Sequence, residues 1–104
     1  MKLTALYKQP ADPQAFDQDY FNTHLPLLNK VPGLQRTVLT RFTRTLMGEE
    51  MYMMAEMYFT DSSALKAAMK SPEMAAAGEN LNTFAAGLVT LLFGEEQKQP
   101  ITTP

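Results

Sequence analysis

The 104-residue chain contains no cysteine and a single histidine. Disulfide scaffolds, thiolate zinc sites, iron–sulfur clusters and cysteine nucleophiles are therefore excluded, and a multi-histidine metal site with them. The lack of cysteine suits a reducing compartment, and a cytoplasmic protein is expected. A basic excess is missing as well. Nine Lys and Arg stand against eleven Asp and Glu, a net charge of −2, so no surface that tracks nucleic-acid phosphates is expected. No window approaches the roughly 20 apolar residues that span a bilayer, and the apolar stretch at residues 3–7 is too short for a signal-peptide core. Five scattered glycines form no phosphate-cradling loop, and neither a nucleophile elbow nor an acidic metal cluster is present. The sequence therefore calls for no metal and no cofactor. Internal repeats and low-complexity segments are absent too.

What the chain does have is 45% hydrophobic residues, enough for one compact domain. A domain of this size leaves roughly 35 to 40% of its unfolded-chain surface exposed, so a sheet face left over after folding is expected to find a partner.

Residues 2–8 are a short apolar run closed by Gln9-Pro10 and predict a first strand. Asp12 can cap a helix that opens on Pro13, since proline loses nothing at the first helical position. Phe16, Tyr20, His24, Leu27 and Val31 then recur every three or four residues, with Phe21 and Leu28 widening the stripe. Pro26 lies inside this pattern. It removes a backbone hydrogen bond and crowds the preceding turn, so the helix is expected to kink or restart near residues 24–26.

Val31-Pro32-Gly33 ends that helix, and residues 34–46 alternate in a threonine-rich pattern that predicts a long second strand. After a turn at 47–50, residues 52–60 predict a third strand as its hairpin partner. Met53, Ala55, Met57 and Phe59 make one face of this strand wholly apolar, while Tyr52, Met54, Glu56 and Tyr58 make the other amphipathic. Asp61 caps a second helix, and Ser71-Pro72-Glu73 opens a further segment that Gly78 and residues 80–83 are expected to loosen. Residues 88–93 predict a fourth strand, followed by a polar tail. The domain is drawn as residues 1–95 and the tail as 96–104.

The order β-α-β-β-α-β predicts an α+β, ferredoxin-like fold: an antiparallel four-stranded sheet with the helices on one face. Tyr52, Met54, Glu56 and Tyr58 on the other face are too apolar for water and too polar for a dry core. A homodimer joined sheet to sheet meets both conditions.

The segment FDQDYFNTHLPLLNKVPGL at residues 16–34 resembles the helix-one signature of the EthD family. An aromatic-rich turn (Tyr20, Phe21), His24, Pro26-Leu27 and Pro32-Gly33-Leu34 carry the match. Residues 55–59, 71–73, 80–84 and 90–95 continue it, so the resemblance covers nearly the whole chain. It implies a dimeric α+β barrel of two ferredoxin-like protomers. It also implies a role beside an oxidative degradation system, with no well-established reaction of the family's own. Broader relatives with this barrel include cofactor-free monooxygenases, polyketide cyclases and muconolactone isomerases, in which the ligand lies between helix one and the sheet. Some cyclase-like relatives carry a His-Pro-x-His segment after the second helix. This chain has Ser71-Pro72-Glu73-Met74 there, which speaks against that chemistry.

Within this frame His24 is the candidate general base, because only its side chain has an ordinary pKa near neutrality. The plainer role is a buried imidazole that shapes the core. Tyr7 shares strand parity with Leu3 and Ala5 and should face helix one, where it and Tyr20 can bracket a planar substrate and donate hydrogen bonds. Core packing is an equal alternative for both. Phe21, Leu28, Met53, Met57, Phe59 and Thr90 complete the candidate substrate-binding set, although core packing is the plainer role for Met53, Met57 and Phe59. Arg36, Arg41 and Arg44 suggest an anion site, but 36 and 44 share a strand face that 41 does not, which favours a solvated rim. Glu56 needs a partner if it is covered.

The function expected is that of a small-molecule protein acting as a cofactor-free oxidoreductase, monooxygenase or isomerase of a small hydrophobic or aromatic compound in a catabolic pathway. The alternative is a non-catalytic accessory protein that binds substrate for an oxidative system.

Overall fold

The computed structural model describes residues 1–97. The expected tail, residues 96–104, falls almost wholly outside the described residues. Strand β1 (Lys2–Lys8) buries Leu3, Ala5 and Tyr7 on one face and leaves alternate residues half-exposed on the other. Helix α1 (Pro13–Asp19) starts as its sequence dictates. The Asp12 carboxylate accepts the Ala15 N–H at 3.1 Å and Pro13 occupies the first turn.

Pro26 leaves its mark two to six residues upstream. Residues Tyr20–His24 widen into a π-helical turn, in which the Leu25 N–H reaches back to the Tyr20 carbonyl, and the chain then resumes as α2 (Leu25–Leu28). The proline is thus absorbed by a wider turn rather than by a break, as π-bulges do at functional positions. Gly33, at φ +81°, turns the chain towards the sheet.

Strand β2 is Arg36–Arg41 and β3 is Met51–Tyr58. The expected second strand of residues 34–46 is therefore too long. The ladder closes with the Phe42 N–H on the Tyr52 carbonyl at 3.1 Å, and Leu46 and Met47 are 94% and 92% exposed beyond it. Threonine propensity does not extend a strand where no helix packs above it. Likewise β3 ends at Tyr58, and Phe59 sits just past it.

Helices α3 (Ser62–Met69) and α4 (Pro72–Phe84) are capped by Asp61 and Ser71, whose side chains accept N–H groups three residues on. Contrary to expectation, α4 runs unbroken through Gly78 and residues 80–83. Its buried Ala77 and Leu81 hold it on the core and outweigh the poor local propensity.

Strand β4 (Val89–Gly94) completes the sheet, whose order is β2-β3-β1-β4 with every neighbouring pair antiparallel. This is the ferredoxin-like α+β arrangement. Met53, Ala55 and Met57 lie under the helices as expected. Tyr52 does not lie on the open face. A bulge opposite Tyr7 and Lys8 leaves it unpaired in the β1 register and turns it inward, its ring edge-on to Phe16 at 5.5 Å and its hydroxyl donating to Asp17 at 2.7 Å. On the open face Glu56 finds Lys2, with Nζ to Oε2 at 2.7 Å. No helix among the described residues is long and apolar enough to cross a membrane.

Candidate functional site

A cavity of about 270 Å³ lies between the helices and the β1–β4 half of the sheet. Tyr20, His24 and Leu28 descend from the α1–α2 helix, and Leu3, Ala5, Tyr7, Met57 and Leu91 form its floor. Met69, Met74, Ala77, Gly78 and Leu81 from α3 and α4 close it from above. Leu91 is 51% exposed, so the cavity opens between β4 and α4.

The three residues singled out for catalysis meet here. The Tyr7 and Tyr20 rings are 5.7 Å apart, and His24 is tilted against Tyr20 at 5.3 Å. The wide turn before Pro26 carries both Tyr20 and His24, so the proline helps to set the site geometry.

His24 is only 4% exposed, and its Nδ1 lies 3.2 Å from Asn80 Oδ1. With the Asn80 oxygen as acceptor, the tautomer protonated at Nδ1 donates to it and leaves Nε2 a lone pair. Burial lowers the His24 pKa, while Asn80 and the Ala77 backbone pull in the opposite direction without cancelling it. The imidazole is therefore neutral at pH 7, the state a base must occupy.

Burial pushes the Tyr20 phenol up to about 12. Tyr7 moves the same way, through burial and then its neighbour Tyr20. Both hydroxyls stay protonated and act as donors. The Tyr20 hydroxyl is enclosed and has no hydrogen-bond partner among the described residues. An orphaned buried donor costs about 1–3 kcal/mol.

Leu28 and Met57 from the expected binding set line the cavity, and four others do not. Phe21 is 40% exposed and touches the site only by its edge on Tyr20. Met53 and Phe59 are core residues away from the cavity. Thr90 pairs with Leu6 on the open face of the sheet, pointing away from the helices, whereas its neighbour Leu91 pairs with Ala5 and faces them.

Sequence reasoning missed the α4 wall and, above all, Asn80. The signal was present: Met74, Ala77 and Leu81 mark one helix stripe, and Asn80 lies beside it. The three arginines do not converge. Arg36 stacks on Tyr58 at 4.3 Å, Arg41 pairs with Asp17 at 3.2 Å, and Arg44 follows β2.

The family model described as the EthD domain matches residues 8–87. An uncharacterised 11.0 kDa protein from the thcB–thcC intergenic region of Rhodococcus erythropolis is 35% identical over 98 residues, covering 92% of this chain and 94% of that one. Among solved structures, an ethyl tert-butyl ether degradation (EthD) family protein from Bacillus halodurans is 49% identical. It has a TM-score of 0.87 over 92% of this chain and 97% of its own. A dimeric ferredoxin-like protein of unknown function from Jannaschia sp. is 19% identical, with a TM-score of 0.67 over 91% and 98% of the two chains. SnoaB, a cofactor-independent oxygenase from Streptomyces nogalater, is 18% identical, with a TM-score of 0.63 over 96% and 95%. The last two share the fold.

Proposed function

The chain belongs to the EthD family, and from that premise we propose that its cavity takes a neutral hydrophobic or aromatic molecule and removes a proton from it without a cofactor. The observation that carries this reading is the meeting of a neutral imidazole and an orphaned phenol in one otherwise apolar cavity. His24 Nε2 accepts the proton of a phenol, or of a C–H beside a carbonyl, and the electron pair moves onto the substrate oxygen. Tyr20 and Tyr7 donate to that oxygen as charge develops, where a dry site makes such donors most effective. Returning the proton to a different carbon completes an isomerisation. Passing electrons to dioxygen completes an oxidation, the class of the fold-level neighbour SnoaB.

The protein works as a homodimer in a reducing cytoplasm. Dimeric proteins of the same fold and the amphipathic open sheet face support the dimer. The helix face, with its cavity, stays free in such an assembly.

A second reading, an accessory carrier for an oxidative system, draws on Met57, Met69 and Met74, whose unbranched side chains adapt to varied guests. The test incubates the protein with naphthol, hydroquinones and cyclic enones in D2O, following binding, deuterium incorporation and oxygen uptake. Turnover abolished by His24→Gln with naphthol binding retained supports catalysis. Binding without turnover, indifferent to His24→Gln, supports the carrier. Absence of any binding removes both readings.

A further inference from the structure

A second cavity, of about 290 Å³, is lined by Met1, Ser62, Leu65, Lys66, Met69, Lys70 and Phe93. It shares Met69 with the first. The registry of the sheet shows how the two are related. Leu3, Ala5 and Tyr7 occupy one face of β1, and Met1 extends that row by the same two-residue period. Across from it Leu91 pairs with Ala5 and Phe93 with Leu3, on the same face of β4. The first cavity is floored by residues 3, 5, 7 and 91, and the second by residues 1 and 93. The cavities therefore lie end to end along the two strands. At about 3.3 Å per residue, the run from Tyr7 to Met1 covers about 20 Å. Met69, at the last turn of α3 and 39% exposed, is the ridge between them.

The chemistry changes along this line. No charged side chain lines the first cavity. The middle is apolar, with Leu3, Met69 and Phe93. Lys66 and Lys70, one helical turn apart, border the second cavity, and neither has an acidic partner among the described residues. No Asp or Glu lines either cavity. On a chain of net charge −2, two unpaired cations at the mouth of an apolar trough are a local asymmetry with a direction.

We infer that the two cavities form one bipartite site for an elongated amphipathic carboxylate, its reactive, uncharged end at His24 and Tyr20 and its anionic end at Lys66 and Lys70. This rests on the proposed function and deepens it by naming the shape and charge of the substrate class. Met69 is the specificity element, because its flexible side chain can swing aside for a chain that passes between the cavities. The neutral inner end rejects the carboxylate, which would lose its hydration there without a partner, and so fixes the binding direction.

Calorimetry with naphthol, phenylbutanoate, phenyloctanoate and phenyloctanol tests this on the full chain. Naphthol reports on the first cavity alone. Affinity is expected to rise about threefold per methylene that crosses the Met69 ridge. The double substitution Lys66→Gln, Lys70→Gln should weaken phenyloctanoate about fivefold while leaving phenyloctanol and naphthol unchanged. Met69→Trp should remove the chain-length gain, and a cooperative thermal unfolding transition shows that the variant is folded. Equal affinities for acid and alcohol, indifference to the lysine substitutions, or no chain-length gain would overturn the bipartite site while naphthol binding keeps the first cavity intact. A second copy seated on the trough, seen as a mass that falls in Met69→Trp, would also overturn it. Failure of naphthol to bind removes the proposed function, and this inference falls with it.

Discussion

At the scale of single residues, His24 and Tyr20 each combine a cost to the fold with a use in the site. Burial keeps the His24 pKa below its ordinary value of 6.5 in the folded protein. Below about pH 6.5 the unfolded chain therefore binds the extra proton before the folded one does, and stability falls as pH drops from there through the folded pKa. Above about pH 6.5 both states are neutral and the contribution is complete. Denaturant midpoints measured from pH 8 to pH 5 should show this acid loss, with a slope no steeper than about 1.4 kcal/mol per pH unit. His24→Gln should flatten it. The same group, acting as base, gives a turnover profile that falls on the acid side with an apparent pKa under 6.5. Tyr20→Phe removes a buried donor that has no partner among the described residues. It should raise stability by about 1 kcal/mol and weaken binding of a phenolic or carbonyl ligand about fivefold. A destabilised Tyr20→Phe protein would mean that the hydroxyl is satisfied in solution and is not held for a ligand.

At the scale of elements, the pieces that could be read from sequence were those whose signal is local. Asp12-Pro13, Asp61 and Ser71-Pro72 cap helices through hydrogen bonds that need no tertiary context. Of the expected stripe, Phe16, Tyr20, His24 and Val31 bury as their spacing dictates, with Leu28 beside them, while Leu27 is half-buried and Phe21 exposed. What stayed illegible depends on pairing. Residues 88–93 are apolar almost throughout, so they carry no parity of their own. Only the pairing of Ala5 with Leu91 decides that Leu91, and not Thr90, faces the cavity. Tyr52 turns inward because of a bulge that is a property of two strands together. The turn at Tyr20–His24 was visible as a problem at Pro26, and its solution by widening was not. Gly78 reads as a helix breaker, yet it stands mid-helix with right-handed geometry and open space where a Cβ would sit. Gly78→Ala should therefore stabilise the protein by about 0.5–1 kcal/mol. Its methyl group narrows the cavity wall that Gly78 forms, so thermal stability and naphthol affinity should move in opposite directions. A gain in both would show that the wall at Gly78 is not in contact with the ligand.

At the scale of the whole molecule, one sheet face holds the cavity and the helices, and the other carries no helix among the described residues. The open face is neither a core nor an ordinary surface. Met54 pairs with Leu6 on one side and Thr40 on the other, and beside them the Lys2–Glu56 ion pair and the Arg36–Tyr58 stack satisfy the charged groups internally. The ion pair is less costly to cover than a lone charge would be, and Arg36 keeps its charge against the Tyr58 ring. A two-fold axis through such a face brings each central residue near its own copy. Met54→Lys therefore places two like charges in a desolvated interface while leaving the helix-side core untouched, and it should convert the proposed dimer to monomer at micromolar concentration by light scattering. Naphthol binding should survive the change, because the cavity is built from one protomer. If Met54→Lys leaves the mass at that of a dimer, the contact between copies is not the sheet face. The exposed edge of β4 and the projecting Leu46-Met47 turn would then be the surfaces to examine. If the variant is monomeric and also loses naphthol, the partner contributes to the cavity, and the site belongs to the dimer and not to the chain.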